Sequence, residues 1–333
     1  MPAYSDCPPV LRDFLSYHET IKSHSLLTVN EYYLDLRNFF RYIKMIKSKT
    51  PDDMPLEDIK ISDVDIELIR SVTLSDVYDY LSYLSRERPV HGNSAHTEYG
   101  ISPTSRARKI AAIRSFYKYL VNKAHLMEEN PVQDLDAPRM RRTLPRYLSL
   151  DESKRLLSSV RGRNAVRDYC ILTLFLNCGL RISELVGLDL GDIKEDQIRV
   201  LGKGNKERIL FINDACRDAI DDYLAIRPES IGQPALFITV SGNRISTAAV
   251  HKLIKKHLLD AGIDAGKYSA HKLRHTAATL MLQNGVDVRT LQEVLGHENL
   301  NTTQIYTHVD NENLRIAAQA NPLGTVKHDW EKE

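Results

Sequence analysis

The segment His271-Lys-Leu-Arg-His275 sets two histidines four residues apart, with an arginine three residues after the first. On a helix, positions three or four apart share a face. Zinc hydrolases use this histidine spacing, but they need a glutamate general base directly after the first histidine. Here that position is Lys272, and no third ligand follows at a metal spacing. What remains is His271, which titrates near neutral pH, beside Arg274, a fixed planar cation: a pair suited to holding a phosphate. Cys178-Gly-Leu-Arg-Ile-Ser-Glu-Leu185 places Arg181 just past a glycine at the expected start of a helix, with Glu184 one turn on to orient the guanidinium. Gly202-Lys203-Gly204 holds a lysine between glycines, where a backbone can approach another molecule closely. It lacks the G-x-x-x-x-G-K-[ST] spacing of a nucleotide loop. Leu295-Gly-His297 is followed nine residues later by Tyr306. A tyrosine, with a pKa of about 10, is a poor nucleophile unless cations stabilise the charge it develops. Taken singly, each motif has an ordinary reading: a surface ion pair, a one-turn salt bridge, an exposed turn lysine, a core tyrosine.

These side chains need elements to position them. Thr28-Val-Asn-Glu31 reads as a capping box that opens a helix. Residues 47–72 are polar, acidic and proline-containing, and read as a long connection or insertion. Leu74–Arg86 has helical spacing, and 87–102, with Pro89, Gly92 and Gly100, reads as a loop. Ser102-Pro103 opens a helix that runs to about Val121. Ile110, Ile113, Phe116, Tyr117 and Leu120 form one arc of it, and Arg108, Arg114 and Lys118 the opposite one, a basic face that suits a phosphate backbone or plain solvent. From Asn130-Pro131 to Pro145, the prolines Pro131, Pro138 and Pro145 occur with Arg139, Arg141 and Arg142 in an extended basic linker. The expected division is therefore 1–136, a linker at 137–147, and 148–333.

A second capping box, Ser149-Leu-Asp-Glu152, starts the latter part. Helices are expected near 150–160, 165–177, 181–187, 214–226, 246–260, 271–283, 288–295 and 302–309. Gly285 and Gly296 stand at helix C-cap positions. Strands Gln197–Leu201 and Arg208–Ile212 flank the glycine-rich turn as a hairpin, with a further strand near 235–240. Asn311–Ala320 reads as a short tail helix. The expected fold class is mainly α with a small antiparallel β-sheet.

At 333 residues, 42% hydrophobic and 27% charged, the chain has a globular composition and a length that predicts two domains. Disorder as the main state and low complexity are excluded. The longest nearly unbroken apolar run, Cys170–Leu180, is interrupted by Asn177 and is short of the roughly 20 residues that a spanning helix needs, so no membrane partner is expected. The opening MPAYSDCPPV has neither a basic nor an apolar signal region. Four scattered cysteines, without a Cys-x-x-Cys pair, fit a reducing cytoplasm and argue against a structural zinc or disulfides. A net charge of +1 does not by itself indicate nucleic acid. Its distribution is more informative. Residues 50–79 carry nine acidic against two basic residues, and 101–146 carry ten basic against four acidic.

In this order, Arg181, Lys203, His271-x-x-Arg274, His297 and Tyr306 resemble the catalytic set of the tyrosine recombinases, or phage integrase family, the bacterial Xer-type recombinases in particular. The segments TLFLNCGLRISELVGLDLGDI, RVLGKGNKERILFI, SAHKLRHTAATLML and LQEVLGHENLNTTQIYTHV carry the likeness across about 147–320. It extends more loosely to the first third through Asn130-Pro131-Val132. The resemblance implies an N-terminal helical-bundle core-binding domain that clamps DNA and a C-terminal catalytic domain of the DNA breaking-rejoining fold. It implies attack by Tyr306 on a scissile phosphate, giving a 3′-phosphotyrosyl link and a free 5′-hydroxyl. Arg181 and Arg274 would offset transition-state charge, Lys203 would protonate the leaving oxygen, His271 would accept the tyrosine proton and His297 would donate to a phosphate oxygen, with Glu184 orienting them.

Because the phosphotyrosine keeps the bond energy, no metal and no cofactor are implied. The implied partners are double-stranded DNA with an inverted-repeat site and further copies of the chain, in a tetramer on two DNA sites that passes through a Holliday junction. A second recombinase or a DNA translocase is left open, and in relatives the tail helix docks on the neighbouring subunit. The role implied is Xer-like resolution of chromosome or plasmid dimers, with integration or excision of a mobile element as the alternative. A non-catalytic DNA-binding relative and a type IB topoisomerase are the remoter readings.

Overall fold

A computed structural model describes residues 4–48, 54–90, 98–136, 146–202, 207–228, 232–296, 316 and 319–326. The chain divides into two compact units, Met1–Arg142 and Thr143–Glu333. The fold is mainly helical, with a small antiparallel sheet.

In the first unit, α1 (Pro9–Ser16) runs on into a π-helical turn at Tyr17–Ile21, and α2 spans Leu26–Lys47. The α2 cap is Ser25, whose hydroxyl accepts the Thr28 backbone N–H at 3.3 Å. The helix thus begins before the Thr28–Glu31 capping box expected from the sequence, and Thr28 lies inside it. Residues 54–72 do form a long connection, but part of it belongs to the core. Ile59, Ile61, Val64, Ile69 and Val72 are buried, and a short helix α3 (Ile66–Arg70) forms within the stretch. Arg41 Nε donates to the Ile59 carbonyl at 2.9 Å and Lys44 Nζ to that of Lys60 at 2.8 Å, so α2 holds the segment by its backbone. The acidic composition concealed an apolar spacing that packs only against other elements.

Helix α4 (Leu74–Arg86) opens with a reciprocal Thr73–Asp76 cap. Pro89–Val90 (β1) pairs antiparallel with Glu98–Tyr99 (β2) in the stretch expected as loop. Helix α5 (Pro103–Asn122) is capped by Ser102, and its expected apolar arc is buried. Phe14, Phe40 and Phe116 meet edge to face in the core between α1, α2 and α5. Arg139, Arg141 and Arg142, in the expected linker, lie outside the described residues.

The second unit begins with α6 (Leu150–Ser158), and the Ser149–Glu152 capping box forms as expected. Helix α7 (Ala165–Cys178) is buried throughout from Asp168 to its end, as a central helix that is apolar on all sides must be. Helix α8 is Ile182–Gly187. Strands β3 (Ile193–Lys194), β4 (Gln197–Leu201) and β5 (Glu207–Phe211) form an antiparallel sheet in that order. The β3 strand was not expected. No strand forms near 235–240, where isolated bridges join Asp189 to Ala235 and Ile238 to Arg244. Helices α9 (Asp214–Ile226), α10 (Thr247–Asp260), α11 (Ala270–Gln283) and α12 (Val288–Leu295) complete the unit, with α9 and α11 packed on α7.

The expected helix at 302–309 and most of the tail helix lie outside the described residues. Beyond them, Asn321 donates to the Leu176 carbonyl at 2.9 Å, and Leu323 is fully buried in the core of the same unit. Among the described residues, no helix is long and apolar enough to cross a membrane.

Candidate active site

Helix α7 ends at Gly179, whose φ of +59° is left-handed and whose added Cβ would stand 2.8 Å from Leu295 Cδ2. Only glycine makes this turn without strain or displacement. The turn brings Arg181 to the N-cap of α8. There Glu184, at the third helical position, accepts the Arg181 backbone N–H at 2.7 Å and Arg181 Nη1 at 2.6 Å.

Glu184 is the hub of the site, and its side chain is only 2% exposed. Arg208 Nη1 donates to Oε1 at 2.7 Å and Nη2 to Oε2 at 3.0 Å. Arg274 Nη1 stands 3.6 Å from Oε2. Burial on its own raises the carboxyl pKa, but hydrogen bonds and charge from Arg208 and Arg181 outweigh it and hold the group at about 2. Burial, then the positive charges of Arg181 and Arg208, lower Arg274 to about 10, against the pull of Glu184. Arg274 therefore stays charged at neutral pH. Three guanidinia surround one carboxylate, leaving two positive charges uncompensated within the cluster.

The same arginines close the end of α12. Its last carbonyls have no partner within the helix and carry the negative end of its dipole. Arg208 Nε donates to the Val294 carbonyl at 3.2 Å, Arg274 Nη2 to that of Leu295, and Arg181 Nη2 to that of Gly296 at 2.9 Å. Gly296 is left-handed, with φ +63°. A Cβ there would lie 3.2 Å from Arg208 Cδ and Nη1. Arg274 also donates to the Gly179 carbonyl at 2.8 Å, tying α11 to the turn before Arg181.

The structure thus brings together Arg181, Glu184 and Arg274, and places His271 exposed in the first turn of α11, one turn before Arg274. Lys203, His297 and Tyr306 lie outside the described residues; Leu201 and Glu207 bracket the first, and Gly296 precedes the second. Arg208 was missed by the sequence reading. Its signal was strand alternation: Arg208 shares a face with the buried Leu210 in β5, and a cation on an inward face needs a buried partner. Among the described residues, no three or more His, Cys, Asp or Glu side chains are grouped to hold a metal.

In the first unit, Arg108, Arg114 and Lys118 are all exposed on α5. Arg108 is already engaged, with Nη1 paired to Glu31 and, at 2.9 Å, to Asp35 of α2.

Residues 146–313 match the model of the phage integrase family. The tyrosine recombinase XerC of Caldanaerobacter subterraneus subsp. tengcongensis is 51% identical over 319 residues, covering 95% of this chain and 87% of that protein. The tyrosine recombinase XerC of Myxococcus xanthus is 35% identical over 318 residues, covering 92% and 95%. Among solved structures, the XerH site-specific recombinase bound to difH substrate, in a pre-cleavage complex, has a similar fold. Its TM-score is 0.59 at 23% identity, over 92% of this chain and 84% of that one. The chain belongs to the phage integrase family of tyrosine recombinases.

Proposed function

We propose that this protein is an Xer-like site-specific DNA recombinase that cuts and rejoins strands through Tyr306. The tyrosine oxygen attacks the scissile phosphorus, the phosphorus–5′-oxygen bond breaks, and the DNA is left with a 3′-phosphotyrosyl link and a free 5′-hydroxyl. Arg181 and Arg274 bind non-bridging oxygens and offset the charge of the pentavalent transition state. Lys203 protonates the departing 5′-oxygen, His271 takes the tyrosine proton, and His297 donates to a phosphate oxygen. Attack by another strand's 5′-hydroxyl reverses the step and releases the tyrosine.

The observation that carries this reading is the arginine cluster around Glu184, which holds more positive than negative charge and so suits a phosphodiester that gains negative charge. The 51% identity to a XerC protein favours the resolution of chromosome or plasmid dimers over mobile-element integration. The working assembly on this reading is a cytoplasmic tetramer on two inverted-repeat DNA sites, passing through a Holliday junction. One solved relative, a lambda integrase, is a tetramer bound to such a junction. The core-binding part is 1–136, the linker 137–147 and the catalytic part 148–333, with Arg114, Lys118, Arg139, Arg141 and Arg142 on the DNA backbone and Arg108, of the same expected set, held back by Glu31 and Asp35.

Covalent capture tests the proposal. The protein is incubated with sheared host DNA in chelator without ATP, denatured, and the attached DNA sequenced. The expected result is an adduct lost in Tyr306→Phe, with DNA binding retained, mapping to one chromosomal site. An adduct that persists in the variant means another nucleophile, and no adduct at all means no tyrosine chemistry.

A further inference from the structure

We propose that Arg208 is a positioning residue of the strand-cleavage reaction: it neutralises Glu184 and braces β5 against α8 and α12, so that Arg181 and Arg274 keep their charge for the phosphate. This rests on the recombinase reading above and assigns a role to a residue outside the set carried by the family resemblance.

All three guanidinium nitrogens of Arg208 are committed within the protein. Two form a fork on Glu184, at 2.7 and 3.0 Å, and the third reaches the Val294 carbonyl at 3.2 Å. A bidentate fork of this kind holds both charge and orientation, which an ammonium cannot reproduce. Its side chain is 15% exposed, against 35% for Arg181. With Nε, Nη1 and Nη2 all engaged, Arg208 acts through its neighbours, whereas Arg181 has an open side.

Without Arg208, the buried Glu184 carboxylate would have only the two phosphate-facing arginines to satisfy it. Both already stand beside it, Arg181 Nη1 at 2.6 Å and Arg274 Nη1 at 3.6 Å. A tighter grip on either would draw the guanidinium inward and cancel charge that the transition state needs. The cluster would fall from two uncompensated positive charges to one. Gly296 fits the same role, since a Cβ there would press on the Arg208 guanidinium at 3.2 Å.

The test uses the full chain and the duplex recovered by covalent capture, nicked so that cleavage is trapped. Arg208→Met keeps the length and removes the charge; Arg208→Lys keeps one charge without the fork. Thermal melting confirms that each is folded. Expected are DNA affinity within a few-fold of the unaltered protein and a single-turnover adduct rate lowered about 10²-fold in Arg208→Met, the scale for losing one preorganised charge. Arg208→Lys should recover part of the rate. Adding Glu184→Gln to Arg208→Met should cause no further loss, because the charge that Arg208 cancels is then absent. Multiplying losses in the double variant, or an unchanged rate in Arg208→Met, would overturn the role.

A second readout needs no turnover. In protein labelled with 13C-carboxyl glutamate, the Glu184 signal should titrate at higher pH in Arg208→Met than in the unaltered chain, and an unmoved titration overturns the inference. Absence of any adduct from the unaltered protein would instead sink the recombinase reading, while the Glu184 titration still decides whether Arg208 controls that carboxylate.

Discussion

Each unit buries a carboxylate against basic side chains, and the two clusters are built to opposite ends. In the first, Asp35 of α2 takes Lys109 Nζ at 2.7 Å and Arg108 Nη1 at 2.9 Å, both from α5, and Glu31 pairs with the outer side of Arg108. Two acids face two bases, so the charges cancel. Burial raises the Asp35 pKa against the pull of Lys109 and Arg108, and lowers that of Lys109. In the second, one acid faces three bases, and Glu184 is driven down to about 2. The balanced cluster joins two helices and has nothing left over. The unbalanced one retains positive charge and, through Arg181, a partly open side. A buried ion pair is weak evidence of function by itself; the charge excess and the open arginine distinguish a site from a strut.

The comparison can be broken most sharply at Lys109. Lys109→Met leaves Asp35 buried with only the half-exposed Arg108, and should cost about 3–5 kcal/mol of stability in denaturant unfolding. Adding Asp35→Asn should restore much of it. A loss below 1 kcal/mol would mean that the pair is not the strut described.

Acid titration separates the two carboxylates by sign. Glu184 has a folded pKa depressed to about 2 from 4.5, so its contribution is complete above 4.5 and is lost as pH falls through about 2. The shift corresponds to about 3 kcal/mol. Asp35 is raised above 3.8, so its ionisation lowers stability as pH rises through its folded value. Melting temperatures between pH 5 and pH 2 should show a drop that Glu184→Gln flattens and Asp35→Asn does not. Equal behaviour of the two variants would erase the distinction.

The smallest effect concerns the exposed face of α5. Arg114→Ala and Lys118→Ala should each lower the slope of log affinity for DNA against log salt by about 0.9. Arg108→Ala should change it less, because Glu31 and Asp35 already hold its charge. Equal slopes for all three variants would show that Arg108 leaves those acids for DNA.

Much of the scaffold and part of the site were legible in the linear chain because their causes are local. The Ser149–Glu152 cap, α4 at Leu74–Arg86, the Pro103 start of α5 and the turn at Gly179 depend on side chains and backbone a few residues apart. Arg181, Glu184 and Arg274 were found as spaced motifs, and the structure draws them together. The Thr28 cap misled because Ser25, three residues earlier, offers the same hydroxyl at a better place.

The sequence by itself determined the helices from Leu150 to Leu295, the Ser102 and Ser149 caps, the strands of the hairpin and the order of the reactive residues. Tertiary structure alone decided that Ile59, Ile61, Val64, Ile69 and Val72 would be core, that Asp35 would meet Lys109 across 74 residues, and that Arg208 would reach Glu184 across 24. Periodicity tells which side of an element is apolar, but not which element covers it. A charged side chain on an inward face has its meaning set by the partner that arrives there, because burial without that partner is too costly to persist.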